Sequence, residues 1–329
     1  MDVTILRESE IRQCIDVDDE ALRAVADGFR RLAEGKATMP PIMRVDIPEN
    51  NGEVDIKTAY LQGLEGFAVK MSSGFFDNRK LGLPSLSGMM ILLSTKTGFP
   101  QAILLDNGYL TDVRTGMAGA LAARYLAPET IETAGVIGAG SQARYQMRAL
   151  QLVRNYQRVL VFSLPPETAQ EYADEMHDVL GVPVTAVESA EEVVRQSDIV
   201  VTTTPSKQPI VRAEWLHSGL HITAMGADAE GKQELHADVF DRADLVVCDR
   251  KSQVFRLGEL HHALAAGILK EDDDIVELGE LVAGGRRGRS SDAQISICDL
   301  TGTGVQDTAI ALLAYRKAQE KGLGTLVGA

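Results

Sequence analysis

The sequence predicts an α/β protein that combines a Rossmann-type, doubly wound dinucleotide-binding domain with an α+β domain built on an antiparallel sheet. A glycine-rich G-x-G-x-x-A motif at residues 138–143 lies between an apolar run and an amphipathic stretch. Apolar runs separated by helical spacers follow it, as in a parallel sheet covered on both faces. Alternating apolar and polar residues precede it, as in antiparallel strands. We predict that residues 119–305 form the dinucleotide domain and that residues 1–118 plus 306–329 form the other.

Composition excludes several classes of protein. The 329 residues are 45% hydrophobic and 24% charged, as in an ordinary globular protein. A formal net charge of −14 argues against a nucleic-acid partner, which would require a basic surface. The sequence has no apolar run long enough for a membrane span and no secretory signal at its N-terminus. Three widely spaced cysteines predict neither disulfides nor a zinc site, and we expect a cytoplasmic protein.

The first third of the chain predicts a scaffold of strands flanked by helices. An amphipathic helix is expected over residues 18–33, and another from a cap at Thr111 to about Leu126. We expect the strands between them to form a meander that supplies substrate contacts and a subunit interface. The predicted strands are residues 3–6, 54–59, 67–71, 86–93 and 101–105.

The glycine motif has the strand, turn and helix context that a dinucleotide site requires. Gly138 permits the turn, Gly140 lets the backbone approach a pyrophosphate, and Ala143 lets the helix pack closely. The helix that begins at Ser141 offers its N-terminal N–H groups to an anion. The alternative is a glycine-rich turn in an unrelated α/β protein.

The remainder of this domain repeats the alternation of strand and helix. We predict helices from residue 166 and over residues 191–195, a further β segment at residues 292–299, and a last helix over residues 306–320 that packs on the N-terminal layer. The predicted strands are residues 159–162, 183–187, 199–203, 221–225 and 245–248.

The sequence leaves the choice of cofactor between NAD and NADP open. An acidic residue after the second strand of such a domain binds the ribose, whereas an arginine accommodates a 2′-phosphate. Here Ser163 follows the strand, and neither residue type is present at its tip. The absence of arginine favours NAD. The predicted cofactor-binding residues are Gly138, Ala139, Gly140, Ser141, Gln142, Ser163, Thr203, Thr204, Met225, Gly226, Ala227, Asp228 and Thr301.

Five charged residues are candidates for chemistry. Asp228 lies between two glycines in a loop that follows a strand, where α/β proteins bind ligands; alternatively, it only caps a helix starting near Glu234. Lys57 and Lys70 interrupt apolar strands, and a lysine that faces inward must be paired. Arg114, in the first turn of a helix, is unfavourable there unless an anion is near. Together with Arg44 these cations could bind a carboxylate, although any one alone is more often a surface charge.

The sequence motifs resemble those of the ornithine cyclodeaminase/mu-crystallin family over nearly the whole chain. The resemblance implies a homodimer whose N-terminal β layer forms both the interface and the substrate pocket. It also implies that Arg44, Lys70 and Arg114 bind the substrate α-carboxylate, with Asp228 and Lys70 as the catalytic residues. The matching segments are Arg44, the Lys70 strand, and residues 110–115, 136–142, 224–235, 291–295 and 303–307.

One departure from the family pattern bears on the substrate. Where cyclodeaminases carry an apolar Met-Pro pair, this chain has Lys57, which would repel the ammonium of ornithine and attract a second carboxylate. In this respect the chain resembles the branches that reduce iminosuccinate and that act in ectoine utilisation. We therefore expect an NAD(P)H-dependent imine reductase or amino-acid dehydrogenase, with iminosuccinate to L-aspartate as one expected reaction. No metal is expected.

Two alternatives remain open. The first is an ornithine cyclodeaminase, which converts L-ornithine to L-proline and ammonia with catalytic NAD. The second is a non-catalytic, mu-crystallin-like protein that binds NADP or another ligand, although such a protein would not need the proton donor Asp228.

Overall fold

A computed structural model describes residues 2–328 and divides the chain into two compact units. The first unit comprises residues 1–114 and 303–329, and the second comprises residues 115–302. The predicted boundaries, after residues 118 and 305, lie a few residues further along the chain. None of the helices in the described part of the chain combines the length and apolarity needed to span a bilayer.

The first unit is built on an eight-stranded mixed sheet. Strands β4 to β7 form the predicted antiparallel meander, while β1 pairs with β7 in parallel and β16 extends the sheet beyond β1. Strand β16 was not predicted from the sequence. The strands are β1 (Asp2–Arg7), β2 (Ala37–Thr38), β3 (Met43–Ile47), β4 (Gly52–Leu61), β5 (Gly66–Phe75), β6 (Leu86–Ser94), β7 (Pro100–Leu105) and β16 (Thr325–Gly328).

Helices cover one face of this sheet, which we call the helix face. Asp18 caps α2 by accepting hydrogen bonds from the N–H groups of Glu20 and Ala21, at 2.9 and 2.8 Å, as predicted. The last helix, α10, packs against α2, β4 and β5. The helices that lie in or begin in this unit are α1 (Glu8–Ile11), α2 (Asp19–Ala33), α3 (Tyr109–Leu126) and α10 (Gly304–Glu320).

Register fixes which side chains share each face of the sheet. Lys57 lies opposite Lys70, and Lys70 lies opposite Met90, so all three point to the helix face. The other face, which we call the open face, is apolar and only partly buried. Its residues include Val54, Ile56, Val69, Met71, Met89, Ile91 and Ile103.

The second unit is the predicted doubly wound domain, with eight strands that are all parallel in the order β10-β9-β8-β11-β12-β15-β13-β14. The strand order reverses between β8 and β11, which creates the crevice where such sheets bind ligands. The strands are β8 (Thr133–Ile137), β9 (Arg158–Phe162), β10 (Val184–Ala186), β11 (Ile199–Thr202), β12 (His221–Ala224), β13 (Leu245–Cys248), β14 (Val276–Glu277) and β15 (Ser296–Asp299).

Two apolar clusters form the core of this unit. Helices α4 and α5 contribute Met147 and Tyr172 to one of them, and α6 contributes Val193 to the other. The helices are α4 (Ser141–Leu150), α5 (Pro166–Leu180), α6 (Ala190–Gln196), α7 (Lys251–Val254), α8 (Gly258–Ala265) and α9 (Leu278–Val282).

Two local expectations from the sequence are wrong. Helix α3 begins at Tyr109 rather than at a Thr111 cap, so Arg114 lies in its second turn and its environment is set by burial rather than by the helix end. The helix that follows Glu234 is a short 3-10 helix, Ala237–Arg242, and its N-cap is His236 rather than Asp228. Leu235 instead forms an isolated bridge with Val211.

Candidate functional site

Three cations converge on one carboxylate at the helix face of the first unit. Lys70 is 1% exposed, Arg114 5% and Lys57 6%, whereas Asp307 is fully buried. The Oδ1 atom of Asp307 lies 2.9 Å from Nε of Arg114 and 3.3 Å from Nζ of Lys70. We call Lys57, Lys70, Arg114 and Asp307 the cationic cluster. The structure therefore brings together three of the four cations predicted to bind substrate.

Close packing of α10 on the sheet places Asp307 in this cluster. A Cβ atom on Gly304 would lie 2.4 Å from the carbonyl oxygen of Thr58, so only glycine lets the helix begin against β4. Thr308 donates a hydrogen bond to the carbonyl of Ala59 at 2.7 Å and accepts one from the N–H of Ala68 at 3.0 Å. These contacts fix the first turn of α10 across β4 and β5.

The charges of the cationic cluster shift the pKa values of its members. Burial and the charges of Arg114 and Lys57 together lower the pKa of Lys70 to about 7, although Asp307 opposes this shift. Burial raises the pKa of Asp307, but Lys70 and Arg114 more than offset this and hold it below the usual range. Both Asp307 oxygens lack a well-aligned hydrogen bond, so ion pairing, which needs only proximity, holds the cluster together.

Arg44, the fourth predicted cation, lies on β3 among carboxylates. Its guanidinium forms ion pairs with Asp46, Glu53 and Asp55, which lie on β3 and the neighbouring β4. Because Arg44 is already paired with three acids, a substrate carboxylate is better placed at Lys70 and Arg114 than at Arg44.

In the second unit, the glycine turn has the geometry of a pyrophosphate site. Gly138 has φ +106°, which disfavours any residue with a side chain. A Cβ atom there would also lie 2.7 Å from Oγ1 of Thr203, so there is no space for one. A Cβ atom on Gly140, by contrast, would meet nothing within 4 Å. Gly140 is the N-cap of α4 and provides no capping side chain. This open approach to a helix N-terminus fits a dinucleotide phosphate.

Arg144, which was not predicted as a site residue, stabilises this turn by contacting its backbone carbonyl groups. It donates hydrogen bonds to the carbonyls of Ala139 and Gly140, at 2.7 and 3.1 Å, and forms an ion pair with Glu175 at 2.5 Å. Its position directly after the G-x-G-x-x-A motif was a signal in the sequence, but its partner Glu175 on α5 was not. The turn is therefore rigid before any ligand binds.

The position after β9, which normally discriminates between NAD and NADP, holds no charged side chain in the structure. Ser163 follows β9 and accepts a hydrogen bond from Oγ1 of Thr168 at 3.0 Å. Leu164 beside it is 74% exposed. No carboxylate or guanidinium follows the strand directly, as the sequence indicated.

A buried glutamate, Glu234, fastens together the carboxyl ends of β11 and β12. It accepts hydrogen bonds from Oγ1 of Thr202 at 2.6 Å, from the N–H of Thr204 at 2.5 Å and from the N–H of Gly226 at 2.7 Å. A Cβ atom on Gly226 would lie 2.1 Å from the carbonyl oxygen of Thr204. Glu259 in turn accepts from the N–H groups of Glu234 and Leu235. Neither glutamate was predicted as a site residue.

Asp228 lies in the loop that these glutamates hold in place. Its side chain is 45% exposed, and Oδ1 lies 2.8 Å from Nζ of Lys232, which is largely buried. An accessible carboxylate with a lysine beside it can exchange a proton with a ligand. The predicted acid–base residue is thus on a preorganised loop and open to solvent.

The other predicted cofactor residues differ in accessibility. Ala227 and Thr301 are buried, at 1% and 2% exposure, and Asp249 holds Thr301 by accepting a hydrogen bond from its N–H at 2.8 Å. The more accessible members are Ala139, Ser141, Gln142, Thr203, Thr204 and Met225.

The described residues contain no group of three or more His, Cys, Asp or Glu side chains arranged to hold a metal ion. His262 contacts the carbonyl oxygen of Lys232 at 2.9 Å, so this histidine supports the Asp228 loop.

Comparison with known proteins identifies the family. A model of the ornithine cyclodeaminase/mu-crystallin family matches residues 1–322. The chain belongs to this family. An uncharacterized cyclodeaminase of Sinorhizobium fredii is 50% identical over 98% of each chain.

Two solved structures of the family have the same fold. An archaeal alanine dehydrogenase dimer with bound NAD is 36% identical, with a TM-score of 0.92 over 100% of this chain and 99% of that one. The iminosuccinate reductase of Paracoccus denitrificans in complex with NAD⁺ is 32% identical, with a TM-score of 0.91 over 100% of both chains. The predicted fold class, with a Rossmann-type domain, is confirmed.

Replacing Gly140 with alanine tests the cofactor turn. The added methyl group meets no protein atom, so the melting temperature should stay within about 2 °C, whereas it would occupy the approach to the turn and raise the dissociation constant of NADH by about tenfold or more. Fluorescence titration and thermal unfolding measure the two effects. Gly285→Ala, which also makes no close contact, is the matched control. Unchanged NADH affinity in Gly140→Ala would remove the turn from the cofactor site.

Proposed function

We propose that this chain is an NAD(P)-dependent oxidoreductase that acts on carbon–nitrogen bonds and reduces an α-imino acid to the L-amino acid. The cationic cluster carries this proposal. Arg114 and Lys70 both lie against one buried oxygen, Oδ1 of Asp307, and Lys57 is buried directly opposite Lys70. Two buried cations that share a single carboxylate oxygen are stabilised by a further anion, so the cluster favours a carboxylate ligand.

The residues of the cluster have distinct proposed roles. Arg114 presents a planar guanidinium suited to bidentate carboxylate binding, and Lys70 adds a point charge beside it. Lys57, directly opposite Lys70 on β4, is positioned to hold a second carboxylate on a dicarboxylic substrate. Arg44 keeps only a secondary role because three acids already surround it.

Asp228 is the proposed proton donor to the imine nitrogen. The nicotinamide, when bound, supplies the hydride that reduces the imine carbon. Hydride addition to the carbon and protonation of the nitrogen together convert the C=N bond to an amine, so one hydride and one proton are consumed per product. Lys232, 2.8 Å from Asp228, stabilises its carboxylate between turnovers. Cofactor contacts are assigned to the Gly138–Gly140 turn and to the loops after β9, β11 and β12.

Iminosuccinate, which yields L-aspartate, is the first substrate to test. A dicarboxylate matches the three buried cations Lys57, Lys70 and Arg114, and the family includes an iminosuccinate reductase. An ectoine-degradation intermediate is a second candidate, carried only by the resemblance of the sequence. NAD is the preferred cofactor, since no cation directly follows β9 to hold a 2′-phosphate. The cytoplasmic location remains a prediction.

A spectrophotometric screen tests the proposed reaction. We expect stoichiometric oxidation of NADH in the presence of α-keto acids with ammonia or methylamine, with oxaloacetate among the best. Ornithine cyclodeamination would instead release ammonia with catalytic NAD and no net change in absorbance. Tight NAD(P)H binding without turnover of any imine would favour a ligand-binding protein of the mu-crystallin type, and either result would contradict the proposal.

The variant Asp228→Asn tests the proton donor. An amide cannot supply the proton, so kcat should fall by about 100-fold or more, whereas the affinity for NADH should change by less than about twofold. Stopped-flow turnover and fluorescence titration separate the two quantities. Glu230→Gln, an exposed change in the same loop, is the control and should retain full activity. Undiminished turnover in Asp228→Asn would refute the assigned role.

We further propose that the chain forms a homodimer through the open face of the first sheet. This face is apolar over four adjacent strands, and no element of the described chain buries it. Met43 and Val45, on the adjoining β3, are 59% and 49% exposed and extend it. Contiguous apolar surface of this kind is typical of an obligate interface. The archaeal alanine dehydrogenase of the same family is a dimer.

Met71→Asp, in the middle of the open face, should convert the dimer to a monomer at micromolar concentration. A buried, unpaired carboxylate in an apolar interface costs several kcal/mol, enough to shift the association constant by more than about 100-fold. Light scattering coupled to size exclusion measures the mass. Val179→Asp on α5, which replaces an exposed apolar residue in the other unit, should leave the mass unchanged. A dimer that survives Met71→Asp would place the interface elsewhere.

A further inference from the structure

We propose that Asp307 is a positioning residue that keeps Lys70 protonated and aims Lys70 and Arg114 at the substrate carboxylate. This inference rests on the proposed function, because it concerns the same cluster. Asp307 does not itself touch the substrate: it is fully buried and its Oδ1 atom lies between the two cations. It acts through them.

The start of α10 contributes a second contact to the same arrangement. Gln306, also fully buried, accepts a hydrogen bond through Oε1 from Nη1 of Arg114 at 3.0 Å, next to the ion pair with Asp307. Two consecutive residues therefore fix the plane of the guanidinium. The remaining guanidinium nitrogen, Nη2, forms no hydrogen bond with either residue, so it can donate to a ligand.

Without Asp307 the cluster would be strongly repulsive. Lys57 and Lys70 are direct cross-strand neighbours on β4 and β5, and like charges in such pairs destabilise a sheet. Arg114 adds a third positive charge. Asp106, on the segment between β7 and α3, is too distant for an ion pair with Lys70 and accepts a hydrogen bond from the N–H of Leu110 instead. Asp307 is therefore the principal counter-charge of Lys70.

The ionisation of Lys70 links this geometry to pH. Burial and the charges of Arg114 and Lys57 together lower its pKa to about 7, against the opposing charge of Asp307. An anionic ligand would raise the pKa of Lys70 again, so binding takes up a proton when the pH exceeds about 7. Affinity for the anion should consequently fall as the pH rises through 7. Burial raises the pKa of Asp106 to about 6, so Asp106 ionises near the acid end of the same range and adds negative charge near Lys70 as the pH rises.

Removing the carboxylate of Asp307 should move this transition in a defined direction. The pKa of Lys70 would drop further because its main opposing charge is lost. Lys70 would then be neutral at physiological pH, and the alkaline loss of affinity would begin at lower pH. A residue with a purely structural role would weaken binding equally at every pH.

The test measures binding of oxamate, a planar mimic of an α-imino acid, to the NADH-loaded enzyme between pH 6 and 9 by isothermal titration. For the wild type, we expect the dissociation constant to rise by about tenfold per pH unit above about 7. Asp307→Asn should shift this transition by about one pH unit or more to lower pH and should raise KM more than it lowers kcat.

Lys70→Arg is the matched variant. Arginine remains charged throughout this pH range, so the transition near pH 7 should disappear, and adding Asp307→Asn to Lys70→Arg should produce no pH-dependent change. If Asp307→Asn does not fold, as judged by thermal unfolding, Lys70→Arg alone still decides the matter. A transition that persists in Lys70→Arg would overturn the proposal.

The outcomes also separate this inference from the proposed function. No binding of oxamate to the wild type would refute the carboxylate site, and with it the role of Asp307. Binding to the wild type with an unshifted transition in folded Asp307→Asn would refute only the role of Asp307. Recovery of the wild-type transition in Asp307→Glu, which keeps the charge, would support it.

Discussion

The burial of two lysines opposite each other on adjacent strands is the constraint on which the first unit depends. Lys57 and Lys70 cannot remain charged on the helix face without a nearby anion. The chain supplies that anion from residue 307, more than 200 residues away, so the last helix must return to the first sheet. Gly304 and Thr308 allow the start of α10 to pack against β4 and β5 and thereby place Asp307 beside the lysines. The polypeptide therefore completes its first unit only at its C-terminal end.

The second unit buries carboxyl groups rather than cations. Glu234, Asp249, Glu259 and Asp299 lie below the carboxyl ends of the parallel strands, and burial raises the pKa of each. Glu234, Asp249 and Glu259 accept hydrogen bonds from backbone N–H groups of the loops that carry the candidate site, and Asp299 accepts one from Leu260 in α8. The hydrogen bonds that Glu234 and Glu259 accept fix the Asp228 loop, which contains no regular helix. The loops are thereby preorganised for binding and catalysis.

The sequence predicted much of this architecture because its signals are local. Strand alternation and the glycine motif depend on neighbouring residues, and the β4–β7 meander, the parallel sheet and the Gly138–Gly140 turn agree with the expectation, whereas the parallel pairing of β1 with β7 and strand β16 were not predicted. The partners of the charged residues could not be predicted in the same way. Asp307 and Glu234 were within recognised segments, yet their roles depend on contacts with distant strands. For the same reason Arg44 appeared to be an available cation, although three acids surround it once β3 and β4 pair.

The overall charge of the protein makes the buried cluster the decisive element for an acidic substrate. With a formal net charge of −14, the molecule as a whole repels anions, so long-range attraction does not favour their approach. Salt screens this repulsion beyond about 8–10 Å, whereas charges inside the protein interact at much lower effective dielectric. A carboxylate that reaches Lys70 and Arg114 relieves a repulsion already present in the folded protein. Selectivity for an anion therefore comes from strain in the unliganded cluster rather than from the surface field.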